Sequence, residues 1–212
     1  MDEEFWQSRW RENRTGFHEE QPNDLLVNHI HHLNLQEGDA VFVPLCGKTI
    51  DLDWLLSQKI RVIGAEFSAK AVEAVFARQN LIPDITSAGS LLRYSGGSLV
   101  IFVGDIFKLD AESLGKVDAV YDRAALVALP PATRAKYAPH MINLTNSAPQ
   151  LLIAFDYDQQ QMDGPPFSVP GKEIQHLYEG HYKLEALASQ KISGRLSERC
   201  QGDENTWLLK PK

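Results

Sequence analysis

Residues 40–68 read AVFVPLCGKTIDLDWLLSQKIRVIGAEFS, and this stretch decides the fold. An apolar run from Ala40 to Leu45 ends in a Cys46-Gly47-Lys48 turn. A helical segment follows, with Leu52, Leu55 and Leu56 on one face. A second apolar run, Ile60 to Ala65, then ends at Glu66. Strand, turn, helix, strand predicts a right-handed crossover joining parallel neighbours. Both strand ends then face one crevice, where open α/β sheets bind ligands. Gly47 lets backbone approach a ligand with no side chain between them. Glu66 follows it at close to the spacing of about 20 residues at which an acid receives ribose hydroxyls in nucleotide folds. The plainer reading is an ordinary βαβ unit with a surface glutamate.

Two nucleotide motifs fail here. A P-loop needs glycine five positions before the Gly47-Lys48 pair, and that position is Phe42, inside the strand. The G-x-G-x-x-G fingerprint is missing because Gly47 stands alone. A nucleoside without a pyrophosphate fits what remains, and S-adenosylmethionine is such a ligand. Pro44-Leu45-Cys46-Gly47-Lys48 and Gly64-Ala65-Glu66-Phe67-Ser68 resemble the cofactor segments of the thiopurine S-methyltransferase family, among the class I S-adenosylmethionine-dependent methyltransferases. The likeness extends over nearly the whole chain. It implies a doubly wound, Rossmann-like α/β fold with a seven-stranded, mostly parallel sheet and an N-terminal helical cover. It also implies Leu45, Gly47 and Glu66 on the cofactor.

Length suits a single domain over 1–212, with the cover in 1–34 and the core in 40–212. A net charge of −7 argues against a nucleic-acid backbone as partner. No apolar run approaches the roughly 20 residues that span a bilayer, and the acidic start Met1-Asp2-Glu3-Glu4 carries no signal peptide. Cys46 and Cys200 alone fit a reducing cytosol. No apolar stripe demands a partner, so a monomer is expected.

Residues 2–13 predict a helix with Phe5, Trp6 and Trp10 at helical spacing, either docked on the domain or serving as a lid. Trp10 and Thr15-Gly16-Phe17-His18 resemble the family's cover, which implies Trp10 on the cofactor and Phe17 near the acceptor. Pro22 and Asn23 open a second helix, to about Asn34, with Leu25, Leu26, Ile30 and Leu33 as its buried stripe. Its His29, His31 and His32 point in different directions and read as solvated or capping groups. Ser68 caps a third helix, Ala69 to Gln79. Residues 84–90 read as loop, and Leu91–Tyr94 with Leu99–Val103 as a hairpin.

The hairpin leads to Gly104-Asp105-Ile106-Phe107. An acid and an apolar residue at a strand end can seat adenine, and Asp105 can equally be a turn residue. The resemblance supports the adenine role and implies the Ile106 backbone N–H as a contact. Val117 to Tyr121 is the next strand, ending in Asp122-Arg123-Ala124-Ala125-Leu126-Val127-Ala128. This is similar to the family's Asp-Arg-Gly-Ala-Leu-Val-Ala, with Ala124 in place of glycine. Arg123 suits the cofactor carboxylate or an acceptor ring, through charge-assisted bonds. A surface salt bridge is its plainer reading. Asp122 is either a general base or, the favoured reading, a fixed partner for Arg123.

Pro130-Pro131 start a helix to about Leu144, and Leu151–Phe155 is a buried strand. Residues 156–170 form a Gly/Pro-rich loop that borders the acceptor pocket, Lys172–Tyr178 a helix, and Tyr182–Ile192 and Thr206–Lys210 a closing antiparallel pair. Either Arg195 or Arg199 is placed to reach the acceptor. The Asn/Asp-Pro-Pro-Tyr/Phe signature of amine methyltransferases does not follow the Asp122 strand.

Together these readings predict methyl transfer to a soft nucleophile, with positioning residues, no triad and no metal. The family resemblance makes the acceptor an aromatic or heterocyclic thiol such as a thiopurine. Selenium or tellurium acceptors, or a sensor that binds S-adenosylmethionine without turnover, are the alternatives.

Overall fold

The computed structural model describes residues 19–212. The helix predicted over 2–13, with Trp10, and Phe17 lie outside the described residues. The strands are β1 (Ala40–Val43), β2 (Arg61–Glu66), β3 (Asp84–Ala88), β4 (Leu91–Gly96), β5 (Leu99–Val103), β6 (Ala119–Arg123), β7 (Gln150–Tyr157), β8 (Tyr182–Lys191) and β9 (Gly202–Pro211). The helices are α1 (Asp24–His29), α2 (Asp51–Ser57), α3 (Ala69–Arg78), α4 (Ala111–Leu114), α5 (Pro131–Leu144), α6 (Gly171–Tyr178) and α7 (Gly194–Ser197).

They build one sheet in the order β3-β4-β5-β2-β1-β6-β7-β9-β8. The central strands β5, β2, β1, β6 and β7 run parallel. An antiparallel pair flanks them on each side, β3 with β4 at one edge and β9 with β8 at the other; β4 and β9 run against the central strands. This corrects the expectation of seven mostly parallel strands: among the described residues the sheet has nine and is mixed. The expected loop at 84–90 contains β3, which pairs with β4 through a tight reversal at Gly89, where φ is +61°. Four of its five residues are exposed, so no buried face imposes an apolar alternation that could be read. The closing pair β8 and β9 is antiparallel, as expected.

Side-chain alternation splits the core into two layers. Val41 and Val43 of β1, Tyr121 of β6 and Leu151 and Ile153 of β7 face α1, α2 and α3. Phe42, Val120, Leu152 and Ala154 face the other way, against Tyr137, Ala138 and Met141 of α5 and Ile174 and Tyr178 of α6. Asn23 caps α1, accepting from the N–H groups of Leu25 and Leu26, and α1 continues as a 3-10 turn over Ile30–Leu33. His29, His31 and His32 lie ring to ring there, with centroids 5.9 and 4.1 Å apart along the series His29–His32 and His31–His32. Ser68 caps α3 as expected, accepting from Ala71 N–H at 3.3 Å.

The chain leaves β1 for β2 on one side and returns to β6 on the other. At this switch the carboxyl ends of β1, β2 and β6 bring Pro44–Gly47, Glu66 and Arg123 to the same edge. No helix among the described residues is long and apolar enough to cross a membrane.

Candidate active site

The turn after β1 leaves the sheet in a conformation few residues adopt. Leu45 has φ +46° and Gly47 φ +53°. Cys46 N–H donates to Ala65 carbonyl at 3.0 Å, which pins the turn against β2. Gly64 leaves room for it: a Cβ there would lie 2.8 Å from Cys46 Sγ. The Glu66 carboxylate closes the crossover. Its Oε2 accepts from Gly47 N–H at 2.8 Å and its Oε1 from Ser68 N–H at 2.9 Å. Burial pushes this carboxyl above its ordinary range, against the pull of the N–H groups of Ser68, Gly47 and Phe67. Each oxygen accepts one bond and keeps a second lone pair, so Glu66 can receive a diol without releasing the turn.

Arg123 stands at the end of β6, with its side chain 14% exposed. Its Nη2 donates to Glu19 Oε1 at 2.9 Å, and its Nη1 lies 3.8 Å from Asp51 Oδ2. Asp51 is buried in the first turn of α2 and accepts from the Tyr121 hydroxyl at 2.9 Å and from Asn23 N–H at 2.8 Å. Burial alone would lower the Arg123 pKa; Tyr121, Asp51, Glu19 and Glu204 outweigh it and hold the guanidinium above its ordinary range.

These groups open on a cavity of about 890 Å³. Leu45, Gly47, Glu66 and Arg123, all expected at a cofactor, line it together. Phe155, Pro165, Pro166, Leu196 and both Arg195 and Arg199 line it as well. The wall therefore has an apolar part flanked by two cations. The Gly/Pro-rich loop is tied in place by Phe167 N–H to Val127 carbonyl at 2.6 Å and Val169 N–H to Phe155 carbonyl at 2.7 Å. Asp51, Tyr121 and Glu204 also line the cavity, and sequence reasoning missed them. Tyr121 stands two positions before Arg123, and the two-residue period of a strand was a usable signal for it. Asp51 reads as an ordinary first-turn acid, and Glu204 sits in a stretch with no motif.

Asp122 is corrected. It is 1% exposed and faces α5, where it accepts from Tyr137 hydroxyl at 2.7 Å and from Leu126 N–H at 3.1 Å. Neighbouring strand residues point to opposite faces, so Asp122 and Arg123 are not partners, and Asp122 does not line the cavity. Asp105 accepts from Phe107 N–H at 3.1 Å, and the Ile106 side chain is fully buried; neither is among the described lining residues.

Burial raises the Asp122 pKa from 3.8 to about 6, against the bonds from Tyr137, Leu126 and Ala125. The fold thus favours its protonated form. Its contribution is complete below about pH 4 and is lost as pH rises through about 6, amounting to about 2–3 kcal/mol. Urea unfolding at a series of pH values should show Asp122→Asn gaining stability relative to the parent as pH rises from about 4 to 6; parallel profiles would contradict the buried carboxyl.

Ala124 occupies a left-handed conformation, φ +66°, in the segment where the resembling pattern has glycine. The methyl costs about 1–2 kcal/mol there, partly offset by the lower chain entropy of alanine when unfolded. Ala124→Gly is expected to stabilise by about 0.5–1 kcal/mol, read as a rise in Tm of roughly 1–4 °C. An unchanged or lower Tm would show that the backbone strain is absent.

The family model described as Thiopurine S-methyltransferase (TPMT) matches residues 1–209. A thiopurine S-methyltransferase of Xanthobacter autotrophicus is 49% identical over 210 residues, covering 99% of both chains. That of Gluconobacter oxydans is 44% identical, covering 98% of this chain and 94% of its own. Among solved structures, the Burkholderia thailandensis 1,6-didemethyltoxoflavin-N1-methyltransferase, bound to 1,6-didemethyltoxoflavin and S-adenosylhomocysteine, aligns with a TM-score of 0.66 at 15% identity. It covers 99% of this chain and 87% of its own. At that identity the likeness speaks for the fold, a Rossmann-like methyltransferase fold.

Proposed function

The chain belongs to the thiopurine S-methyltransferase family, and from that premise we propose that it methylates an ionised sulfur on an aromatic or heterocyclic thiol. It is an S-adenosylmethionine-dependent methyltransferase; the acceptor is the proposal. When bound, S-adenosylmethionine supplies an electrophilic methyl carbon on a sulfonium, which a thiolate takes by in-line displacement. In this reading Glu66 receives the ribose hydroxyls through its two remaining lone pairs. Leu45 and Gly47 border the same ligand from the turn. Asp105 and the Ile106 N–H receive the adenine, Arg123 holds the α-carboxylate, and Trp10 and Phe17 cover donor and acceptor.

One observation carries the reading: residues suited to a nucleoside and residues suited to an anionic ring line the same cavity. Phe155, Pro165 and Pro166 offer flat apolar surface to a ring, while Arg195 and Arg199 favour a thiolate over its thiol. Asp122 faces the core and takes no proton from the acceptor. An acceptor that enters already ionised needs no such base, and acidic aromatic thiols meet that condition. Holding donor and thiolate in line is worth up to roughly 7–11 kcal/mol of barrier. The size of the cavity suits a small-molecule acceptor.

The test is a calorimetric titration with S-adenosylhomocysteine, followed by methyl transfer to thiopurines and thiophenols of graded acidity. Binding with S-methylation, fastest for the acceptors most ionised at the working pH, is expected. Binding without transfer to any thiol would reject the acceptor class and favour a sensor.

A further inference from the structure

The surroundings of Arg123 carry more negative charge than one guanidinium needs. Asp51 lies 3.8 Å from its Nη1, Glu19 2.9 Å from its Nη2, and Glu204 interacts with it from β9. Asp51 and Glu204 are 1% and 7% exposed, so solvent screens them weakly. A simple carboxylate ligand on Arg123 would be repelled by this ring of acids. An amino-acid zwitterion would not, because its ammonium takes up the excess negative charge.

Asp51 is also the most rigidly held of the three. Its Oδ1 accepts from Asn23 N–H at 2.8 Å, at the cap of α1. Its Oδ2 accepts from the Tyr121 hydroxyl at 2.9 Å, on the strand that carries Arg123. Two donors from different elements fix the carboxylate before any ligand arrives, and the same oxygen faces the guanidinium.

We propose that Asp51 is the positioning residue of an amino-acid-tail subsite. It holds Arg123 at the angle that receives the α-carboxylate, and with Glu19 and Glu204 it supplies the negative charge that the α-ammonium requires. The inference rests on the reading of this cavity as the S-adenosylmethionine site.

Two probes separate the subsite from the rest of the cavity. S-adenosylhomocysteine carries the amino-acid tail, and 5′-methylthioadenosine keeps the nucleoside and thioether without it. In the whole 212-residue chain, Asp51→Asn is expected to weaken S-adenosylhomocysteine binding about 10- to 100-fold. It should change methylthioadenosine binding by less than about 2-fold, a difference too small to reflect a lost hydrogen bond. The KM for S-adenosylmethionine should rise while the KM for the thiol stays put. Tyr121→Phe, which only frees one Asp51 oxygen, should show the same selectivity with a smaller loss. Equal losses for both probes, or none for either, in these variants would reduce Asp51 to a support of the fold and overturn the proposal. If the unsubstituted chain binds neither probe, the cofactor reading itself fails, and the proposal with it.

Discussion

Glu66→Ala will weaken S-adenosylhomocysteine binding by about 100- to 10,000-fold. The estimate follows from two hydroxyl donors on one ionised acceptor, each worth about 1.5–3 kcal/mol. Further loss comes from the turn. With the carboxylate gone, Gly47 and Ser68 lose their acceptor, and the backbone after β1 is no longer tied to the end of β2. Leu45 and Gly47 already sit at positive φ, so this turn holds its shape because neighbours hold it. Glu66→Gln tests the same point more finely. Its amide oxygen accepts from one of the two N–H groups, but its NH₂ then faces the other, donor against donor. Titration calorimetry on both variants decides it, and affinities within about 3-fold of the parent would remove Glu66 from the cofactor.

Arg134→Ala is expected to produce the largest loss of stability. Arg134 is 2% exposed and grips Glu173 with a fork, Nε to Oε1 at 2.7 Å and Nη2 to Oε2 at 2.9 Å. Its Nη1 donates to Leu129 carbonyl at 2.8 Å. One side chain thereby joins α5, α6 and the loop that follows β6. Removing one partner of a buried pair costs about 3–5 kcal/mol, because the other charge and the carbonyl are left without a donor. The Glu173 side chain is 27% exposed, which places the expected loss at the lower end. A Tm lowered by roughly 6–12 °C follows for a chain of this length. Lysine should restore only part of it, since a point charge cannot form the fork. The double replacement Arg134→Met with Glu173→Leu should recover most of the stability, because an apolar pair leaves no orphaned charge. A Tm within about 2 °C of the parent for Arg134→Ala would reject the role.

Much of this protein is legible along the chain. β1 and β2 are buried on both faces and read as continuous apolar runs. Ser68 announces α3 because a hydroxyl there accepts from an N–H three residues on. Handedness then forces the ends of β1 and β2 to one edge, so Gly47 and Glu66 could be paired before any coordinates were known. The oddity at Ala124 was visible too, as a methyl where the resembling pattern has none, and it sits at positive φ.

Other features depended on distance in the chain. The expected Asp122–Arg123 pair failed on parity: alternation separates neighbours, but which face receives which residue depends on the helices that cover the sheet. β3 escaped notice because an exposed edge strand is held by backbone bonds to β4, which any side chains permit. Asp51 meets Asn23, 28 residues earlier, and Tyr121, 70 residues later; Arg134 meets Glu173 across 39. Local order follows from short-range sterics and the period of apolar residues, which a sequence carries openly. Polar contacts between distant segments are selected only when the packed layers bring them within about 3 Å, so the charge balance around Arg123 was decided by the tertiary structure alone.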